Sequence, residues 1–156
     1  MSLQAANLTA GREYYIVLGI YDKALGSSSD GTSPALSAIG TNEELNSYIF
    51  VAEESGQSGY VLLKQKSTGR YLAASTSNSY SVVFQSNKGT SDAYCWKAEE
   101  GPQHQLVNKR NTGKRLGIDG GQSGKEYVSV YYDKNRGSHA EFDIIPVAGT
   151  DITDTT

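Results

Sequence analysis

Three bulky aromatic residues divide this chain evenly. Phe50, Trp96 and Phe142 fall 46 residues apart, each near the end of a segment that opens on the same phrase. "GRYLAAS" (Gly69–Ser75) and "GKRLGID" (Gly113–Asp119) are two versions of a turn followed by a leucine, and "DKALGSS" (Asp22–Ser28) is a worn third. The leucines are Leu25, Leu72 and Leu116. Between leucine and aromatic each copy carries an alternating stretch: "PALSAIG", "YSVVFQS" and "EYVSVYYD". A period of this length marks a repeat architecture, in which one unit cannot bury its apolar face alone.

Each copy reads as strand, tight turn, strand, loop, strand, loop, strand. In copy two the spacing predicts strands near Tyr60–Gln65, Arg70–Ala74, Ser81–Gln85 and Ala93–Ala98. The turns "STGR" and "NTGK" place Gly69 and Gly113 where a hairpin asks for positive φ. The stretch from Asn42 to Glu53 has a helical composition. Its equivalents in the other copies lose helical spacing, so a strand is expected there. Seventeen glycines and eleven tyrosines in 156 residues fit short strands joined by turns. The expected fold class is all-β: three four-stranded repeats, six strands closing a barrel and three hairpins capping one end, which removes exposed sheet edges.

With these residues in place, the chain from Arg12 to Pro146 resembles the β-trefoil superfamily. Phe50, Trp96 and Phe142 stand where ricin-type lectin repeats carry a tryptophan, and the "TGRYL" phrase also resembles fascin-like and arabinose-binding trefoil modules. The specific family stays open. The implied organisation is one trefoil domain over 12–146, with repeats near 12–55, 59–101 and 102–146, between a linker over 1–11 and a Thr-rich linker over 147–156.

Catalytic chemistry finds little support. His104 and His139 have no zinc-type spacing with Cys95, the single cysteine. Neither a nucleophile elbow nor a phosphate loop occurs. The sequence implies no enzyme, metal or cofactor. Cys95 neighbours Trp96, so strand alternation sends it to the opposite face as a semi-buried thiol. The acidic pairs Glu53–Glu54 and Glu99–Glu100 read as strand ends on a wet surface. A net charge of −3 argues against nucleic acid as a partner. No apolar run is long enough to span a membrane, and no signal peptide is visible at the start.

Two surfaces stand out. The turns holding Lys64, Lys66 and Arg70, and Lys109, Arg110, Lys114 and Arg115, recur at one repeat position. The second set forms a candidate patch for an acidic polysaccharide, since guanidinium groups grip carboxylate and sulfate in bidentate fashion. The lectin resemblance implies a sugar site in copy three. Tyr131 falls at the stacking aromatic, His139 at the lectin asparagine and Ala140 at its glutamine, with Gly117 in place of the lectin aspartate and Asp119 two residues on. Tyr127, Tyr132 and Asn135 are rim candidates. The expected function is a non-catalytic carbohydrate-binding module, a monomer tethered within a longer secreted or surface protein. The alternatives are a protein-interaction trefoil, inhibitor-like or fascin-like, and a structural spacer.

Overall fold

The computed structural model describes residues 8–18, 23–27, 34–37, 45–75, 82–89, 91–99, 105–119, 127–132 and 140–147. They hold twelve strands: β1 (Glu13–Leu18), β2 (Lys23–Ser27), β3 (Pro34–Ser37), β4 (Ile49–Glu54), β5 (Val61–Gln65), β6 (Tyr71–Ala74), β7 (Val82–Gln85), β8 (Trp96–Glu99), β9 (Gln105–Asn108), β10 (Arg115–Asp119), β11 (Tyr127–Tyr132) and β12 (Phe142–Pro146).

All pairings are antiparallel, and they repeat from copy to copy. The last strand of each copy bonds to the first strand of the next: β4 to β5, β8 to β9, and β12 back to β1. First strands also meet the last strand of their own copy, β1 with β4 and β5 with β8. These bonds join six strands in the order β9-β8-β5-β4-β1-β12. The remaining strands form the hairpins β2–β3, β6–β7 and β10–β11. This is the β-trefoil plan that the repeats predict.

The aromatics set the interior. In each copy the aromatic sits opposite a fixed place on the neighbouring strand: Phe50 opposite Gln65, Trp96 opposite Asn108, Phe142 opposite Leu18. All three are fully buried in one apolar cluster, as are Leu25, Leu72 and Leu116. β1 alternates half-buried and buried residues along its length, as a strand with one face on a core must. The ring of Phe50 stacks on Phe84 at 6.0 Å between centroids. The Trp96 indole N–H donates to the Leu72 carbonyl at 2.8 Å, so its one polar group is satisfied inside the core.

Buried amides repeat too. Gln65 Nε2 donates to the Ser47 carbonyl at 2.8 Å, and Asn108 Nδ2 donates to the Ala93 carbonyl at 2.9 Å. Both acceptors lie in short 3-10 turns, Leu45–Tyr48 and Asp92–Tyr94, that lead into the aromatic strands. A second recurring contact joins copies. Tyr71, just before the turn leucine, donates its hydroxyl to Glu53 Oε1 at 2.8 Å. Arg115, at the same repeat position, donates Nη2 to Glu99 Oε1 at 2.5 Å. The corresponding places at the β12–β1 junction hold Ala24 and Ile145. Ile145 is the exposed large apolar residue among the described ones, at 46%.

Several expectations change in detail. The helix-like composition before Glu53 is explained by the 3-10 turn over Leu45–Tyr48, which gives way to β4 at Ile49. Its counterpart over Asp92–Tyr94 takes the first residues of the strand expected from Ala93. Gly69 takes φ 75°, as its turn requires. Gly113 does not take positive φ, because a 3-10 turn over Lys109–Asn111, capped where the Asn108 side chain accepts from the Arg110 N–H, has already turned the chain. The packed body also starts earlier than Arg12. Leu8 and Ala10 lie against the core, and the Gly11 N–H donates to the Ala52 carbonyl at 2.8 Å.

Two predictions follow from this core. Trp96→Ala removes the largest fully buried side chain among the described residues and the indole donor to the Leu72 carbonyl, so it lowers unfolding free energy by about 3–5 kcal/mol, read from a urea midpoint shift. For Glu53, burial pushes the carboxyl pKa up, but hydrogen bonds from Lys64 and Tyr71 and the charges of Lys64 and Lys88 outweigh it, so the pKa ends below the ordinary value. The unfolded chain therefore binds this proton more readily than the folded one, and the Glu53 contribution fades as pH falls through the folded-state pKa. Glu53→Gln flattens the acid limb of a melting-temperature profile measured against pH; an unchanged limb contradicts this assignment.

Candidate functional site

The copy-three surface rests on the β10–β11 hairpin. Asp119 and Tyr127 are directly paired at the end of the hairpin where the connecting segment leaves and returns. The register slips between Gly117, opposite Ser129, and Arg115, opposite Tyr132. One extra residue of β11 is thus accommodated beside Leu116, in the stretch Val130–Tyr131. Such a bulge bends a strand and re-aims its side chains, and bulges collect near functional sites. Tyr131 therefore sits at an irregularity, not on a regular pleat. Val130 is buried in the main core. Asn135 and His139 lie outside the described residues. The backbone thus brings Asp119, Tyr127 and Tyr131 onto one hairpin.

The candidate acidic-glycan patch is reshaped by its own protein contacts. Arg115 is a correction: its side chain is 5% exposed and turned inward, where Glu99 takes Nη2 and the carbonyls of Thr112 and Lys114 take Nη1. It offers no fork to a ligand. Arg110 remains exposed, yet its Nη1 donates to the Ser75 carbonyl. The Lys109 ammonium donates to Gln57 Oε1, stands 4.0 Å from Asp92, and lies 5.4 Å from the centre of the Tyr60 ring. Lys114 is half-buried. In copy two, Lys64 pairs with Glu53 at 2.9 Å and Lys66 with Glu13 at 3.0 Å. The basic turns fasten one copy to another; such half-exposed pairs are individually weak.

Cys95 is fully buried, not semi-buried. It packs with Leu62 and Tyr71 in a small cluster apart from the main core, which agrees with Trp96 facing the other way. Gln57 Nε2 reaches its sulfur at 3.4 Å. Burial, and then the nearby Asp92 carboxylate, push its thiol pKa up, and Lys109 offsets this only in part. Tyr71 is pushed up to about 12 by burial and by its bond to Glu53. These shifted groups hold structure together. Among the described residues no group of three or more His, Cys, Asp or Glu is placed to hold a metal ion.

A concave site lies elsewhere, where β4 passes into β5. The cleft measures about 470 Å³ and is bounded by Leu8–Ala10, Glu54, Gly59–Val61 and Lys97–Ala98. Ser55 shapes its approach: the hydroxyl donates to the Tyr60 carbonyl at 2.7 Å, with the Gln57 carbonyl as the alternative acceptor at 3.0 Å, and accepts from the Gln57 N–H. Gly56 and Gly59 supply the positive φ that this turn uses. Sequence reasoning missed the cleft because its walls come from three separate segments. Tyr60 and Lys97 carry no motif of their own.

No protein-family model and no curated protein matches this sequence. Solved structures do match its fold. An endo-β-galactosidase from Clostridium perfringens that releases GlcNAcα1-4Gal is 19% identical with a TM-score of 0.71; the match covers 87% of this chain and 33% of that one. The designed three-fold symmetric protein ThreeFoil is 16% identical with a TM-score of 0.71, covering 86% of this chain and 99% of the other. The earthworm lectin C-terminal domain, solved with 6'-sialyllactose, is 12% identical with a TM-score of 0.67, covering 87% and 99%. This chain spans a third of the galactosidase it resembles and nearly all of the two compact trefoils.

The thiol gives a direct check on this geometry. Cys95 resists alkylation by iodoacetamide at neutral pH in the native protein and reacts fully in denaturant, because only the exposed thiolate is nucleophilic. Rapid native labelling contradicts its burial.

Proposed function

We propose that this chain is a non-catalytic carbohydrate-binding module, carried within a larger secreted or cell-surface protein that works on glycans. The observation that carries this reading is the trefoil fold itself, matched as a compact lectin domain in one case and as a minor part of a glycosidase in another. Fold alone does not dictate function, so the site must bear weight as well. The copy-three hairpin supports the reading, with a carboxylate residue, Asp119, paired to Tyr127 and with Tyr131 at a bulge on the same strand.

The chemistry is that of sugar recognition. A carboxylate accepts from adjacent hydroxyls, and an aromatic face covers the apolar side of a pyranose. Each contact competes with water, so one site binds weakly. Tethering to a partner domain multiplies such weak contacts through effective concentration. The non-catalytic part of the reading is supported by the roles of the shifted groups: Glu53 and Tyr71 bond to each other, and the Cys95 thiol is buried and discouraged from ionising.

The test is a glycan array carrying neutral, uronic-acid and sulfated polymers, followed by Tyr131→Ala. The variant loses most retention on the bound glycan and melts within a few degrees of the parent. Silence of the parent across the array removes the carbohydrate reading. Collapse of the variant's fold makes Tyr131 a packing residue and removes it from the site.

A further inference from the structure

The cleft between β4, β5 and β8 contains two opposite charges that do not pair with each other. Lys97 and Glu54 both line it, and among the described residues neither forms an ion pair or hydrogen bond. Lys97 does have one contact: its ammonium lies 5.4 Å from the centre of the Tyr60 ring. A cation over a tyrosine face is held there by the ring quadrupole. Tyr60 thus orients the ammonium at the edge of the cleft. A second ammonium, Lys109, stands 5.4 Å from the same ring and adds positive potential, although Gln57 and Asp92 already engage it.

The rest of the cleft is apolar or small. Leu8 and Ala10 form one wall, Val61 and Ala98 another. The segment carrying Leu8–Ala10 is fixed, since Gly11 donates to Ala52, Ala52 donates to Arg12, and the Thr9 N–H donates to the Tyr14 hydroxyl at 2.9 Å. The site is therefore concave, built on the barrel strands, and within the size range of small-ligand pockets.

We infer that this cleft binds a sugar residue bearing a carboxylate, with the carboxylate on Lys97, ring hydroxyls donating to Glu54, and the ring body against Leu8, Val61 and Ala98. The inference rests on the carbohydrate reading and adds to it a second site and an acidic sugar class. One ligand then satisfies both unpaired charges. A neutral sugar leaves Lys97 without a counter-charge, and a simple anion makes no use of Glu54, which is otherwise exposed to water. The basic turn at Lys109–Arg115 is not needed, because its groups bond to the protein.

The test uses the whole chain, labelled with ¹⁵N, titrated with glucuronate, glucose or acetate at matched ionic strength. Glucuronate produces saturable shifts in the amides of Gly59, Tyr60, Val61 and Ala98. Glucose and acetate bind there at least about tenfold more weakly, the scale of one partly exposed charged contact. Lys97→Gln loses the preference for glucuronate while its other amide signals stay in place, which shows that it is folded. Equal response to glucose or acetate overturns the inference, as does a preference for glucuronate that survives in Lys97→Gln. Shifts confined to the β10–β11 hairpin overturn it and leave the carbohydrate reading standing. A chain that responds to none of the three overturns it, and the carbohydrate reading then rests on the glycan array alone.

Discussion

Everything in this fold depends on the pairing of β12 with β1. That ladder runs over five residue pairs, from Tyr14 with Pro146 to Leu18 with Phe142. Without it, β4 and β8 would still meet their neighbours, but Phe142 would have no opposing strand and the interior would lie open on one side. With it, all three aromatics enter the same cluster, and the three turn leucines close around them. The rule joining last strand to next first strand then holds for every copy, so no copy can bury its aromatic independently. This is the energetic content of the repeat: the apolar burial of each unit is supplied by another.

Within that frame the three junctions have diverged. Two are fastened by a polar contact across copies, Tyr71 to Glu53 and Arg115 to Glu99, each backed by a buried amide that holds a 3-10 turn. The third, between copy three and copy one, has Ala24, Ile145 and Leu18 at the matching places and relies on the long ladder and apolar packing. Buried polar contacts cost desolvation and return specificity of register more than net stability.

Legibility from sequence follows the same division. The period of 46 and the burial of Leu25, Leu72, Leu116, Phe50, Trp96 and Phe142 were readable, because repeated bulky residues leave few ways to share a core. The turn at Gly113 was not. "NTGK" looks like "STGR", but Asn108 caps a 3-10 turn upstream, and that contact depends on which strand Asn108 ends. Arg115 read as surface charge because its partner, Glu99, is distant in sequence and meets it only through the β8–β9 hairpin. The cleft at Tyr60 was invisible for the same reason. For the copy-three site, the hairpin pairing of Asp119 with Tyr127 and the placing of Tyr131 at a bulge are structural facts, whereas Asn135 and His139 fall outside the described residues.

The claim that the chain closes on itself has a direct measurement. Two-dimensional NMR of the intact protein reports cross-strand Hα–Hα contacts in antiparallel sheets, at the alternate, non-hydrogen-bonded pairs whose Cα atoms lie about 4.5 Å apart. This account requires such contacts between β1 and β12, at Tyr15 with Ile145 or at Ile16 with Ile144, together with slow exchange of the intervening amides. A spectrum with β4–β5 and β8–β9 contacts intact but none between β1 and β12 would contradict it, leaving the last strand apart from the first.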